Sequence, residues 1–431
     1  MNTSRRVRVL WLSNVPPTPM DTKKNSNFKG GWLTGAYESI KHDNSLELGF
    51  AFPSKYKFER NTKDNHSPRC FTYSLPIFLK IFKIKFLKKI LLRKYIQNII
   101  IEFNPDILHI FGTEYLHTRI AVECFNRPER SIIHIQGLVS IYAKHCLLGF
   151  PLIVKHLFLP SSIIDGTIYG QARKYLRAGV DETVAIRKVS YVMGRTEWDE
   201  ACTKAINPTL NYIHCGESLR QAFYGESANW EFVKCEKYSI YFSQGSSQVK
   251  GLHLVFQILP ELIKKYPDLH MYIGGHSPIG SNSKFGYIRR SSYGWYLKHL
   301  TKKNKIEKFV TFLGPQNDYQ VLENLKNAHV FLSASLIENS PNSIGEALVV
   351  GTPVVSSDVG GVKNFINHGV NGFLYPVDEP YMIPYYIGKV FDDSKRAMNF
   401  SIEGKNFVRQ LYSSKENGKT IKGTYKKIGL K

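Results

Sequence analysis

Acidic residues are scarce: 35 Asp and Glu stand against 58 Lys and Arg, a formal charge of +23 at pH 7. A field of that sign draws phosphate-rich partners, whether nucleic acid, anionic lipid or phosphorylated substrates. Long apolar runs are missing as well. No stretch of about 18 consecutive apolar residues occurs, so no helix is expected to span a bilayer. The six cysteines (Cys70, Cys124, Cys146, Cys202, Cys215 and Cys235) form no Cys-x-x-Cys pair, and no histidine cluster at zinc spacing accompanies them. Neither a zinc module nor a disulfide framework is expected, and reduced thiols in a cytosolic protein are. Repeats and low-complexity segments are absent, which excludes solenoids and tracts of biased composition. The opening Arg5-Arg6-Val7-Arg8-Val9-Leu10-Trp11-Leu12 is too short and interrupted an apolar run for a signal peptide and reads as a buried first strand.

What remains is ordinary globular material. The AVILMFWYC set makes up 43% of the chain and 32 glycines add to it, the apolar share of folded domains. At about 150 residues per domain, 431 residues predict two or three domains. Short apolar strands alternate with helical stretches, the pattern of parallel sheets with crossover helices. Val7–Leu12, Ile107–Phe111, Ile132–Ile135 and Tyr212–His214 are the strand candidates of the first half. Gly216–Lys237 reads as a linker. The pattern restarts with Tyr238–Phe242, Met271–Ile273, Phe309–Leu313, Val330–Leu332 and Val354–Val355, and the tail Phe407–Ile428 is helical in pattern.

The segment richest in chemistry is Glu338-Asn339-Ser340-Pro341-Asn342-Ser343-Ile344-Gly345-Glu346-Ala347. Ser340-Pro341 predicts a helix start with proline in the first turn. The free amides there, around Asn342 and Ser343, would attract a phosphate. Glu338 is expected just before the helix and Glu346 about two turns along it, so two carboxylates could hold different hydroxyls of one elongated ligand. Two glutamates eight apart mean little alone. Here they precede Gly351-Thr352-Pro353-Val354-Val355, a turn into a buried strand, and the loop Ser356-Ser357-Asp358-Val359-Gly360-Gly361.

This combination resembles the retaining glycosyltransferases of family 4. Their signature is a glutamate, seven residues, Glu-Ala, then Gly-x-Pro-Val-Val and a Gly-Gly loop. The resemblance implies the GT-B fold: two Rossmann-like, doubly wound α/β domains of parallel sheet facing across a cleft. It implies an N-terminal acceptor-side domain over 1–215, a nucleotide-sugar domain over 216–405, and a C-terminal helix over 406–431 returning to the first domain. Glu338 would address the donor sugar and Glu346 the ribose of the nucleotide.

Other segments fit the family with departures. Gln244-Gly245-Ser246-Ser247-Gln248-Val249-Lys250-Gly251 stands where the family has Gly-Arg, a spacer and Lys-Gly. Lys250 matches and the arginine does not, so Lys250, helped by the Gly245 and Ser246 amides, would neutralise a leaving diphosphate. Read alone, Lys250 has a surface lysine before a helix as its lesser alternative. Met271-Tyr272-Ile273-Gly274-Gly275 resembles the second nucleotide-side loop, with a plain tight turn as the alternative. Gly30-Gly31-Trp32 matches the glycine loop of the first domain that faces donor phosphates. In Asn104–Gly112, Phe111 replaces the second histidine of a His-x-His-Gly pattern, and His109 reads as either a core or a site residue. Gln136 stands where many members place a histidine near the sugar. It can position a hydroxyl but not act as a base. In Gly194-Arg195-Thr196-Glu197-Trp198-Asp199, Arg195 could face a cleft or pair with Glu197 or Asp199.

The resemblance therefore implies a retaining, metal-independent hexosyl transfer from a UDP- or GDP-sugar to a glycan or lipid-linked acceptor, with no cofactor. An envelope or capsular polysaccharide pathway is expected by analogy. Catalytic roles fall to Lys250 and Glu338; donor binding falls to Gly30, Gly31, Gln136, Gly245, Ser246, Gly274, Gly275, Asn342, Ser343 and Glu346; no residue is assigned to a metal. The alternatives are a nucleotide-sugar epimerase or sugar phosphorylase, a catalytically silent GT-B scaffold and, from another class, a basic nucleic-acid-binding protein. No recognition motif supports the last, and no nucleic-acid partner is expected. Residues 80–95 carry Lys80, Lys83, Lys85, Lys88, Lys89, Arg93 and Lys94 with no acid. At helical spacing, Ile81, Ile84, Leu87, Leu91 and Tyr95 form one stripe and Phe82, Phe86 and Ile90 another. One stripe suffices for docking on a sheet. The second could enter an anionic headgroup layer, placing the protein at the inner face of the cytoplasmic membrane, or both could be buried with the lysines reaching outward.

Overall fold

The computed structural model describes residues 5–17, 31–54, 68–76, 85–225, 228–280 and 290–429. The chain divides into two compact units, each built on one parallel sheet. The first comprises Met1–Ser140, Arg177–Ser218 and Tyr412–Lys431, and the second Ile141–Leu176 and Leu219–Leu411.

The sheet of the first unit has seven strands: β1 (Val7–Leu12), β2 (Leu46–Pro53), β3 (Arg69–Tyr73), β4 (Ile107–Phe111), β5 (Ser131–His134), β6 (Tyr191–Gly194) and β7 (Asn211–His214). Their spatial order is β3-β2-β1-β4-β5-β6-β7, parallel throughout. The central strands read as continuous apolar runs because a parallel sheet covered on both faces gives them no polar side. Val7–Leu12 and Ile107–Phe111 coincide with β1 and β4, and Ile132–Ile135 and Tyr212–His214 lie within one residue of β5 and β7. The strands β2, β3 and β6 went unread. Glu47 and Gly49 interrupt β2, and β6 has only four residues, so neither offers a clean periodic signal.

In the second unit the strands are β8 (Glu236–Phe242), β9 (His270–Gly274), β10 (Val310–Gly314), β11 (Ala328–Ser333), β12 (Val354–Ser357) and β13 (Phe373–Tyr375), ordered β10-β9-β8-β11-β12-β13. This is the doubly wound order. Strand succession reverses between β8 and β11, and the loops leaving the carboxyl ends of those two strands are where such sheets hold ligands. Gln244–Gly251 follows β8 and Ala334–Pro341 follows β11.

Two boundaries depart from the sequence reading. The stretch Ile141–Leu176 belongs to the second unit, not to an N-terminal domain running to 215. The cause is local. Phe150 stacks on His253 at 3.9 Å, the Gln248 amide donates to the Cys146 carbonyl at 3.1 Å, and Ser161 donates to the Arg290 carbonyl at 2.7 Å. The tail is not one helix from Phe407. It is two, Ser394–Leu411 and Ser414–Gly429, and the second groups with the first unit from Tyr412 onward.

That last helix is tied to the centre of the first sheet. Ile421, Tyr425 and Ile428 are buried in one cluster with Val9, Trp11 and Ile107. The Trp11 indole donates to the Tyr425 hydroxyl at 2.8 Å, and the same hydroxyl bonds His109 Nδ1. His109 is thus a fully buried core histidine, stacked on Phe111 at 4.2 Å and held well below its usual pKa by burial and then by His134. Its site reading is dropped.

The helix Lys85–Phe103 docks through Leu92, Ile96, Ile99 and Phe103, which are buried at helical spacing. This corrects the expected docking stripe: Leu87 and Tyr95 are exposed. Phe86, at 78%, and Ile90, at 46%, are exposed too. Lys80, Ile81, Phe82, Lys83 and Ile84 lie outside the described residues. Among those described, no helix is long and apolar enough to cross a membrane.

Replacing Tyr425 with Phe leaves the buried Trp11 N–H and His109 without their shared partner, a loss of about 1–3 kcal/mol. Urea denaturation of Tyr425→Phe is expected to show a lower midpoint at unchanged slope, and an unchanged midpoint would mean that the tail helix is not anchored through this hydroxyl.

Candidate functional site

The second unit concentrates polar groups where the sheet order reverses. After β8 the chain makes a tight loop, and a one-turn helix over Gln248–Lys250 ends at Gly251. Gly251 has φ +73°, and a Cβ there would sit 1.8 Å from the Ala334 carbonyl oxygen, so only glycine fits. The close approach is completed by Leu336 N–H donating to the Val249 carbonyl at 2.7 Å. The segment leaving β11 is therefore docked against the loop leaving β8. Lys250 is placed on Glu338 by this docking. Its Nζ pairs with Glu338 Oε1, which also accepts from Ser335 Oγ at 2.7 Å.

Gly360 holds the other side of Glu338. It has φ +52°, a Cβ would come 1.9 Å from the Glu338 carbonyl oxygen, and Gly361 N–H donates to that oxygen at 3.1 Å. The close approach of the Gly-Gly loop is to the backbone of Glu338, which fixes that residue from behind.

Glu346 lies on the helix Asn342–Val350, with Pro341 as the residue before it rather than inside its first turn. Glu346 is the fifth helical residue, a little over one turn along instead of two. Its carboxylate is held by Arg220: Nε donates to Glu346 Oε1 at 2.9 Å and Nη2 is 2.7 Å from the same oxygen, while Nη1 reaches Asp318 Oδ1 at 2.8 Å. Burial pushes the Glu346 carboxyl up to about 7, against the pull of Arg220. Arg220 went unread because it lies in the stretch taken as linker, 126 residues from its partner. Asn339 stands between Glu338 and the start of the helix Asn342–Val350. It is 1% exposed, and neither its amide nitrogen nor its oxygen has a hydrogen-bond partner among the described residues. A buried amide left unsatisfied beside Glu338 is a group ready for a ligand.

Of the glycines named for donor binding, Gly245, Gly274 and Gly275 lie where β8 and β9 end. Gly245 N–H donates to the Gly274 carbonyl at 3.1 Å, and Gly275 N–H to the Gly314 carbonyl at 2.9 Å. Ser246 lines a cavity beside this loop, and Asn342 and Ser343 open the helix that carries Glu346. Lys250, Glu338, Gly245, Ser246, Gly274, Gly275, Asn342, Ser343 and Glu346 thus share one end of one sheet.

The remaining candidates belong to the first unit. Gly31 opens the helix Gly31–Glu38, and Gly30 lies outside the described residues. Gln136 follows β5, with its amide nitrogen buried and without a partner among the described residues. Arg195 pairs with Glu217, not with Glu197 or Asp199. Asp199 instead accepts from the Arg195 and Thr196 amides and closes the N-terminus of its own helix. Glu182, buried, accepts from Thr113 Oγ1, from Ser140 and from the Val139 amide, and is a brace between neighbouring loops.

Residues 226–407 match the sequence profile of the family described as Glycosyl transferases group 1. Over 132 residues the chain is 30% identical to spore coat protein SA of Bacillus subtilis, 30% of this chain and 32% of that one. Over 156 residues it is 28% identical to D-inositol 3-phosphate glycosyltransferase of Corynebacterium urealyticum, 35% of this chain and 34% of that one. The matches therefore span about a third of these relatives' length. Solved structures extend the likeness to the whole chain: sucrose-phosphate synthase from Thermosynechococcus elongatus has a TM-score of 0.71 at 14% identity, covering 98% of this chain and 99% of that one. Anabaena HepE, solved in complex with UDP and glucose, has a TM-score of 0.64 at 17% identity, covering 97% and 99%. The fold is GT-B: two Rossmann-like units of parallel sheet.

The Arg220–Glu346 pair has a pH signature. A buried carboxyl with a folded pKa near 7 and an ordinary value of 4.5 holds its proton more tightly folded than unfolded, so its contribution to stability falls as pH rises through that window. Without Arg220 the window widens upward. Arg220→Met is expected to cost little at pH 5 and about 2 kcal/mol at pH 8, below the 3–5 kcal/mol of a fully buried pair because Arg220 is partly exposed. Adding Glu346→Gln should recover most of the loss. Urea unfolding at the two pH values reads this directly, and an equal loss at both would remove Glu346 from the account.

Proposed function

We propose that the chain is a retaining glycosyltransferase of family 4, transferring a hexosyl group from a UDP- or GDP-sugar to a glycan or lipid-linked acceptor. The observation that carries the reading is the pair of buried glutamates flanking one helix start, each already matched to its own cation, Glu338 to Lys250 and Glu346 to Arg220. A nucleotide diphosphate sugar offers what such a site suits: ribose hydroxyls for a carboxylate, a sugar for the second carboxylate, and a diphosphate for a lysine. The family profile over residues 226–407 and the GT-B fold support the same reading. The UDP held by HepE favours uridine as the first base to try.

In the reaction proposed, the acceptor oxygen attacks the anomeric carbon on the face from which the diphosphate departs, and the leaving phosphate takes the acceptor's proton. Negative charge grows on the phosphate as the bond breaks, and Lys250 and the Gly245 and Ser246 amides stabilise it there. No metal has a role in this scheme. Glu338, braced by Ser335 and by the Gly361 amide on its carbonyl, holds the sugar. Arg220 pulls the Glu346 carboxyl toward its ionised form against burial and fixes it for the ribose. A UDP- or GDP-sugar donor and an envelope or capsular acceptor would place the work in the cytoplasm, at the inner membrane face.

Lys250→Ala is expected to lower turnover by about two to three powers of ten with a small change in donor affinity, because the charge it meets is largest in the transition state. Glu338→Gln should also act on turnover, and Glu346→Gln on nucleotide affinity. Donor hydrolysis with UDP- and GDP-sugars, read beside calorimetric UDP titration, measures both. An unchanged turnover in Lys250→Ala would remove it from the chemistry.

A peripheral membrane contact is part of the proposal. Phe86 and Ile90 stand exposed on the helix Lys85–Phe103, with Lys88 and Lys89 between them. Arg93 is engaged with Glu123 and contributes less. Cations near an anionic surface are worth about 1 kcal/mol each. Phe86→Ser, Ile90→Ser and Lys89→Glu together are expected to abolish binding to phosphatidylglycerol vesicles at low salt without lowering the unfolding midpoint. A wild-type protein that ignores such vesicles would end this part of the proposal.

A further inference from the structure

The cavity that Ser246 lines lies within the second unit, beside the Lys250 loop. It has a free volume of about 320 Å³ and is bounded by the start of the helix Ile168–Arg187, by Ser246–Gln248, and by Ser291–Tyr293 at the start of the helix Ser292–Lys303. The volume is at the lower end of the roughly 300–1,000 Å³ typical of small-ligand sites, room for one or two sugar rings.

The lining has a definite chemistry. Among the described residues that form the wall there is no lysine, arginine, aspartate, glutamate or histidine; the polar groups are hydroxyls and amides, with Tyr175 and Tyr293 adding aromatic surface. Several of these groups are spent internally. Ser291 Oγ accepts from the Gly294 amide at 3.1 Å, Ser292 Oγ donates to the Leu157 carbonyl at 2.8 Å, and Gln248 donates to Cys146. Ser246, Ser247 and Tyr175 differ: among the described residues their hydroxyls make no hydrogen bond, and Ser247 precedes its one-turn helix without capping it. Tyr175 is fixed by packing against Cys146, Ala172 and Val249. Its free hydroxyl is therefore presented by a rigid ring.

An anionic ligand would find no cation among the described residues of this wall, and a purely apolar one would strand its hydroxyls. A polyhydroxylated neutral molecule satisfies both, donating to and accepting from unspent hydroxyls and laying its C–H face on an aromatic ring. We propose that this cavity is a binding site for a neutral saccharide, the acceptor's sugar unit. The acceptor role rests on the reading of the Lys250 loop as the donor-phosphate cradle, because Ser246 and Ser247 belong to that loop. Saccharide binding as such does not.

The test uses the full chain and saturation-transfer NMR with the methyl glycosides of glucose, galactose, mannose and N-acetylglucosamine, with glucose 1-phosphate and methyl galacturonoside as charged controls. At least one neutral glycoside is expected to bind better than both controls. Tyr175→Phe and Ser247→Ala each remove one hydroxyl with little change in packing and are expected to weaken that glycoside roughly three- to tenfold. Their unfolding midpoints confirm that they fold. A glycoside signal unmoved in both variants, a preference for the charged controls, or no neutral glycoside bound by the wild type would overturn the proposal. A parallel UDP titration separates the two readings: UDP binding without glycoside binding retires the cavity and leaves the donor site, whereas glycoside binding without UDP binding keeps the saccharide site and overturns its acceptor role.

Discussion

Everything at the candidate site depends on one close approach, the Gly251 backbone against the Ala334 carbonyl. A side chain there would push the β11 exit away from the β8 exit. With it, the backbone bond from Leu336 to Val249 forms, and Lys250 and Glu338 become partners across 88 residues of sequence. Gly360 repeats the device on the far side, so Glu338 is held between two glycine contacts. Rigidity of this kind is what a group needs if it is to meet a ligand without reorganising.

Around that fixed point the unit distributes charge in matched pairs. Lysine answers one buried glutamate and arginine the other, and Asp318 shares the arginine. Removing two carboxylates from water would be costly unless cations accompanied them. A ligand carrying hydroxyls can share the carboxylates with those cations, and a diphosphate can take the lysine. Asn339, buried beside Glu338 with an unsatisfied amide, adds a neutral group to the same place.

Much of the architecture was legible in the sequence, because fully buried parallel strands announce themselves as apolar runs ending in glycine or polar turns. Each expected strand coincides with an observed one to within two residues; Val354–Val355 opens β12, which runs on to Ser357. Glu338, Glu346 and Lys250 stood out through likeness to a family signature rather than through periodicity, and the fold brings all three to one end of one sheet. Arg220 was not legible, since its role comes from a contact 126 residues away within a stretch lacking periodicity. Nor was the membership of Ile141–Leu176, decided by Phe150 on His253 and a few carbonyl bonds that leave no local pattern. For Arg195 the sequence leaves a cleft-facing role and a pair with Glu197 or Asp199 equally open, and the fold brings Glu217 to its guanidinium.

The proposed nucleotide-sugar site requires the Lys250–Glu338 and Arg220–Glu346 pairs to act on one ligand. Crystals of the chain grown with UDP, and separately with GDP, test it most directly. Ribose hydroxyls are expected within hydrogen-bond distance of the Glu346 carboxylate and the terminal phosphate within reach of Lys250, with Arg220 still on Glu346. A nucleotide seated elsewhere in the chain, or one at this sheet end that leaves Glu346 and Lys250 untouched, would contradict it.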